Sequence, residues 1–283
     1  MKMAVIGCGL IGGSMALSWK RAGIVDEVIA FGHNPATLQK ALDKGAADTV
    51  TTSMEEAVKD ADIVVSAVPV EAMESVFTEM APFLKSDAVV TDVGSTRQTV
   101  IAAARKGLGD KFHQYAPAHP IAGGEMPGVD YASADLFDEK VVISTPDEGM
   151  DPKVVTFIEE AWRKAGARVQ AMSPLQHDLT FASVSHLPHV LAYALVDMIA
   201  REENAQEKLK MAGAGFRDFT RIASSSPVMW RDICLSNREA LSHELKRYRA
   251  SLDTLQKYID ESDGKALESV FENAVRNRRG LVF

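Results

Sequence analysis

Six residues near the start of the chain, Gly7-Cys8-Gly9-Leu10-Ile11-Gly12, constrain its fold more than any others. They have the spacing G-x-G-x-x-G, follow the apolar run Lys2–Ile6 and open a stretch, Leu10–Ala22, with helix-compatible spacing. Glycines in a strand–turn–helix context let the backbone turn tightly and approach a pyrophosphate, which then sits on the positive end of the helix. Gly7, Gly9 and Gly12, with Leu10 and Ile11 between them, are therefore expected to bind a dinucleotide, with Cys8 as a small packing residue. The alternative is a tight turn in some other α/β protein.

The runs Val28–Phe31, Ile63–Ala67 and Ala88–Asp92 are short, apolar and bounded by Gly, Asp or Pro, as strands buried on both faces should be. Helical spacing fills the gaps at Ala36–Lys44, Met54–Lys59, Glu71–Leu84 and Thr96–Lys106. Such alternation means a parallel sheet with right-handed crossovers, a Rossmann-type α/β domain. Strands near Gln114–Ala118, Lys140–Ser144 and Arg168–Ala171, with a helix over Lys153–Ala165, are expected to extend that sheet. After Ser173-Pro174 strand signals vanish and long helical patterns follow, interrupted near Asn204, Gly213–Gly215 and Ser224–Pro227. The expected organisation is a dinucleotide-binding domain over 1–172 and an all-α domain over 173–283 for substrate binding and dimerisation. In the latter, Phe181–Ala200 is expected to be a buried helix. Over Asn237–Tyr258, Leu241, Leu245, Tyr248, Leu252 and Leu255 should line one buried face.

Thirty-one Lys plus Arg against 39 Asp plus Glu leave a net charge of −8. No global positive field exists to collect nucleic acid or anionic lipid. The apolar stretch Phe181–Ala200 holds Ser183, Ser185, His186, Pro188, His189 and Asp197, too many polar groups for hydrocarbon. Two cysteines without C-x-x-C spacing, and an N-terminus without a signal-peptide pattern, place the expectation in the cytoplasm.

Cofactor choice in such sheets turns on the end of the second strand, where a carboxylate binds a free ribose 2′-hydroxyl. Here that place is Phe31-Gly32-His33-Asn34, without an acid. Gly32 leaves room for a 2′-phosphate, and His33, Asn34 and Thr37 offer donors, so NADP is favoured over NAD. A plain turn with NAD held by its pyrophosphate is the alternative. Val68 and Pro69, just past the run Ile63–Ala67, complete the expected cofactor set. Ser95, after the strand that ends at Asp92, is placed to meet substrate or a base, or to cap the helix that follows.

The densest signal is Ala118-His119-Pro120-Ile121-Ala122-Gly123-Gly124-Glu125-Met126-Pro127-Gly128. A His beside Pro in a Gly-rich loop cannot lie inside a helix, so it is held at a strand end. Together with Asp92-Val93-Gly94-Ser95, Ser185-His186-Leu187-Pro188-His189 and Gly215-Phe216-Arg217-Asp218-Phe219-Thr220-Arg221-Ile222, it resembles the prephenate and arogenate dehydrogenases of tyrosine biosynthesis. The motifs agree in order over most of the chain.

The resemblance implies a cyclohexadiene substrate, prephenate or arogenate. Hydride leaves C4 for the nicotinamide, and carbon dioxide is lost as the ring becomes aromatic. His119 is then the acceptor for the hydroxyl proton, and Ser95 orients it and the substrate. Arg221 binds the ring carboxylate, a task suited to a guanidinium. Glu125 and Arg217 form an ion pair at the entrance, with Arg217 standing where the family often has Lys. His186 or His189 contacts substrate, and Trp230 occupies another site position. The resemblance also implies a homodimer. His177, His186 and His189 do not read as a metal site, for there is no H-E-x-x-H and no carboxylate at ligand spacing. Two rival readings are a reductase of 3-hydroxy acids or cyclic imines, which needs a helical lysine in place of His119, and a redox sensor, which needs none of His119, Ser95 and Arg221.

Overall fold

The computed structural model describes residues 1–124 and 126–281. The chain divides into two compact units, Met1–Arg238 and Glu239–Phe283. The first begins with alternating elements: β1 (Lys2–Ile6), α1 (Leu10–Arg21), β2 (Glu27–Phe31), α2 (Pro35–Asp43), β3 (Thr49–Thr51), α3 (Met54–Val58), β4 (Ile63–Ser66), α4 (Met73–Met80), β5 (Val89–Asp92), α5 (Gln98–Leu108) and β6 (Tyr115–Ala116). β1 to β6 form one parallel sheet in the order β3-β2-β1-β4-β5-β6. Strand order reverses beside β1, and ligands bind at the carboxyl ends of strands at such a switch point. β3 is three residues long on the sheet edge and half exposed, so it carried no apolar signal and is missing from the expected strands; it makes the strand before Ser95 the fifth in chain order.

The expectation that the later strands extend this sheet is corrected. β7 (Ala118–Pro120), β8 (Val141–Ser144) and β9 (Arg168–Ala171) form a separate sheet, with β7 antiparallel to β8 and β8 parallel to β9. Pro117 stands between β6 and β7, and without an N–H it cannot continue the first ladder. Pro120 is tolerated because β7 is an edge strand. The second sheet is tied to the first through α6 (Pro152–Lys164), whose Trp162 meets Trp19 of α1 and Phe137 edge-on at 5.6 and 5.0 Å. The segment between β7 and β8 returns over α1, where Ser133 N donates to Ser14 Oγ, and over α2, where Lys40 pairs with Asp130.

From Pro174 the chain is helical: α7 (Pro174–Phe181), α8 (Leu187–Ala200), α9 (Ala205–Lys210), α10 (Ala214–Thr220), α11 (Pro227–Ser236), α12 (Arg238–Asp260) and α13 (Gly264–Arg279). The breaks fall at Asn204, Gly213 and Ser226, the N-cap positions of α9, α10 and α11. Between α7 and α8, Ala182–His186 widens to a π-turn, as expected where Pro188 has no N–H for the regular ladder.

Burial of this region within one chain is less than expected. Pro174–Ala200 is long and apolar enough to cross a membrane by length and composition, yet only Leu187 and Ala192 of α8 are buried. On α12, Leu241 is buried, Leu245, Tyr248 and Leu255 are half-buried and Leu252 is exposed. Periodicity reveals which face of a helix is apolar; it cannot say whether the covering surface belongs to the same chain.

Candidate active site

The glycine loop fits a dinucleotide. Gly7 has φ +92°, and a Cβ there would lie 2.7 Å from the Ala67 carbonyl oxygen and 3.0 Å from Val68. At Gly12 a Cβ would strike the Gly7 carbonyl oxygen at 2.5 Å, so this glycine is needed for close packing of α1 on the loop. Gly9 faces open space, and α1 has no side-chain cap, so the N–H groups of its first turn at Leu10, Ile11 and Gly12 remain available to an anion. Val68 and Pro69 follow β4 on the other side of the switch point. At the end of β2, Gly32 is half-buried and His33 and Asn34 are exposed, with the His33 ring edge-on to Phe31 at 5.2 Å. Asn34 Oδ1 accepts from Ala36 N as the cap of α2, leaving only its amide N–H₂ as a donor toward a ligand.

Beneath the carboxyl end of β5 lies a fully buried ion pair. Arg97 donates to Asp92 Oδ2 at 2.6 Å, to the Gly94 carbonyl at 2.8 Å and to Thr145 Oγ1 at 3.2 Å. Tyr115 Oη donates to Asp92 Oδ2 at 2.7 Å. Burial alone would lower the pKa of Arg97, but the Asp92 carboxylate outweighs it and holds the guanidinium charged. Loss of either partner would strand a buried charge at a cost of about 3–5 kcal/mol. The pair anchors the turn that carries Ser95. The helix after Ser95 begins at Gln98, and its first N–H groups are capped by Asp178, so Ser95 is not its N-cap. Ser95 is half-buried and makes no hydrogen bond to His119 among the described residues.

His119 lies in β7 and is half-buried. Its Nδ1 is 2.8 Å from His177 Nε2, and the Phe181 ring is 5.2 Å away. His177 Nδ1 in turn is 2.9 Å from Asp178 Oδ1. Burial, and then the cost of adding a positive charge beside His177, Arg97 and His186, hold the pKa of His119 well below its ordinary value. His119 is therefore neutral at pH 7, as a proton acceptor must be.

His186 is 1% exposed, and burial pushes its pKa down to about 4. Its Nδ1 accepts from Asn237 Nδ2 at 3.2 Å, and its ring meets Trp230 edge-on at 6.1 Å. His189, half-buried, stacks on Trp230 with ring centres 3.6 Å apart and bonds the Ser185 carbonyl through Nδ1. Arg221 opens a 3-10 turn after α10, and its charge reaches His189, adding to burial in lowering that pKa. The structure thus joins His119, His186, His189, Trp230 and Arg221 in one neighbourhood, with His186 at the joint and His189 the more accessible imidazole. Arg217 is exposed on α10, and its expected partner Glu125 lies outside the described residues. Asp178, Arg97 and Asn237 escaped sequence reasoning. The adjacent pair His177-Asp178 just after Ser173-Pro174 was the one visible hint of the first.

A family model described as prephenate dehydrogenase, nucleotide-binding domain, matches residues 15–171, and one described as prephenate dehydrogenase, dimerization domain, matches residues 173–273. The chain belongs to the prephenate dehydrogenase family. It is 36% identical to cyclohexadienyl dehydrogenase of Zymomonas mobilis, over 99% of this chain and 95% of that one. It is 35% identical to prephenate dehydrogenase of Bacillus subtilis, over 97% of this chain and 74% of that one. A crystal structure of prephenate dehydrogenase from A. aeolicus, in complex with hydroxyphenyl propionate and NAD+, superposes with a TM-score of 0.91 at 34% identity, covering 99% and 98% of the two chains. The activity is that family's, prephenate dehydrogenation by an oxidoreductase with a nucleotide-binding domain.

Proposed function

We propose that His119 is the base of an oxidative decarboxylation of prephenate to 4-hydroxyphenylpyruvate, with Ser95 contacting the substrate hydroxyl and Arg221 its ring carboxylate. The observation that carries this reading is a neutral His119 on β7, beside the β5 end that leads into Ser95 and packed against the helical region. A nicotinamide dinucleotide held by the Gly7–Gly12 loop would supply the acceptor for the hydride that leaves C4. His119 takes the 4-hydroxyl proton as that hydride leaves, so C4 becomes a carbonyl carbon. Loss of the ring carboxylate as carbon dioxide returns its electron pair to the ring, and the phenolate oxygen recovers the proton from His119. His189 and Trp230 form a flat wall for the substrate, and Arg217, exposed on α10, stands at the entrance.

Arogenate is a second reading, favoured by the likeness to a cyclohexadienyl dehydrogenase. Gly32 supports use of NADP at least as well as NAD. Turnover measured with prephenate and arogenate, each with NADP and NAD, tests both choices. An affinity for NAD more than tenfold tighter, about 1.4 kcal/mol, would overturn the cofactor reading. A Cβ at Gly32 would meet only the Leu38 side chain, at 3.4 Å, so Gly32→Asp fits and is expected to shift preference to NAD by repelling the 2′-phosphate.

The open apolar face of Pro174–Ala200, in a region matched by a dimerization domain, supports a homodimer. Light scattering at micromolar concentration is expected to give twice the 30.7 kDa of one chain. A mass near that of one chain would reject it.

A further inference from the structure

Behind His119 runs a chain of side chains whose proton positions follow from its far end. The Asp178 carboxylate, 1% exposed, receives Arg97 N on Oδ1 at 2.7 Å, Gln98 N on Oδ2 at 3.0 Å and His177 on Oδ1. The two backbone donors belong to the N-cap and the first residue of α5, which has no cap from its own segment, so Asp178 caps it from α7, about 80 residues later. Burial would raise the pKa of Asp178, but these N–H bonds hold it below the ordinary range. An ionised carboxylate only accepts, so His177 Nδ1 carries a proton. Burial keeps His177 neutral, so its Nε2 is bare. That bare nitrogen faces His119 Nδ1 at 2.8 Å, a distance requiring one proton between them, and His119 must supply it. In neutral His119 the lone pair then falls on Nε2.

We propose that His177 and Asp178 are positioning residues that hold His119 in the tautomer with a bare Nε2, and that receive its charge during the reaction. As Nε2 takes the substrate proton, the Nδ1–H bond of His119 breaks and a bond forms to His177 Nε2. His119 ends neutral, and His177 ends as an imidazolium paired with Asp178. The return of a proton to the phenolate runs this shift backwards. Arg97, which opposes positive charge on both imidazoles, is itself matched by Asp92; His186 faces His119 as a neutral ring. This inference rests on His119 being the base.

The test uses the whole protein with ¹⁵N-labelled histidine and NAD+ bound, with His119→Asn identifying the His119 signals. Two-bond ¹⁵N–¹H correlation at pH 7 is expected to show His119 protonated at Nδ1 and bare at Nε2. In His177→Phe the tautomer should be lost or mixed and kcat should fall about 10–100-fold, with KM within a few fold. His177→Gln, whose side-chain carbonyl can accept from Nδ1, should restore the tautomer and part of kcat. Asp178→Asn should move the acid limb of kcat to lower pH, since removing the carboxylate makes the cation harder to form. A wild-type His119 protonated at Nε2 would overturn the proposal, even if no variant folds. So would a His177→Phe enzyme with unchanged tautomer, kcat and pH profile. Absence of prephenate turnover in wild type, or full activity in His119→Asn, would instead strike the assignment of His119 as base.

Discussion

His119→Asn is expected to lower turnover about 10²–10⁴-fold while leaving KM for prephenate within a few fold. The imidazole acts as the hydroxyl proton leaves, and asparagine offers a similar polar shape without the ability to take that proton. The pH profile supplies the sharper readout. Burial and the neighbouring His177, Arg97 and His186 hold the pKa of His119 well below 6.5. Wild-type activity should therefore be flat near neutrality and fall only as pH drops through that depressed value, where His119 becomes protonated and can accept nothing. An acid limb that persists unchanged in His119→Asn would show that another group titrates, and the assignment would be wrong.

Arg221→Ala should fail in a different parameter. A ring carboxylate is present before the reaction starts, so its partner binds ground state and transition state alike. Loss of a charge-assisted bond of about 3 kcal/mol raises KM by two or more orders of magnitude with a small change in kcat. The same substitution removes one of the causes that lower the pKa of His189, so that pKa should rise, though burial still keeps it below the ordinary value. NMR titration of His189 reports this independently of turnover. A variant whose KM is unchanged would remove Arg221 from the substrate site.

These two residues were legible in the chain for different reasons. His119 announces itself locally, because a histidine before Pro120 and a run of glycines can only sit at the end of an extended segment. Arg221 was visible through family resemblance alone; on its own it looks like any arginine of a helical region. Legibility failed where a side chain's partner is distant in sequence. Ser95 looked equally suited to capping the next helix, but the cap comes from Asp178 across about 80 residues, and no local pattern marks that choice. The same holds for Arg97, a surface-type residue by composition that the fold buries completely between Asp92, Tyr115 and Thr145.

By itself the sequence determined what short-range sterics and periodicity control. The glycine loop between β1 and α1, the alternation that builds a parallel sheet, and the helix breaks at Asn204, Gly213 and Ser226 all arise from φ/ψ limits and capping within a few residues. Tertiary structure decided where strand pairs end and which apolar faces stay open. The sequence reads as one strand through Pro117, and only the packed fold ends the first sheet there and sends β7 into a second sheet antiparallel to β8. The apolar face of α8 is plain in the sequence, yet one chain leaves it uncovered. The chain of His119, His177 and Asp178 belongs wholly to the fold, because hydrogen bonds between β7, α7 and the start of α5 exist only once burial has excluded water and brought distant segments within 3 Å.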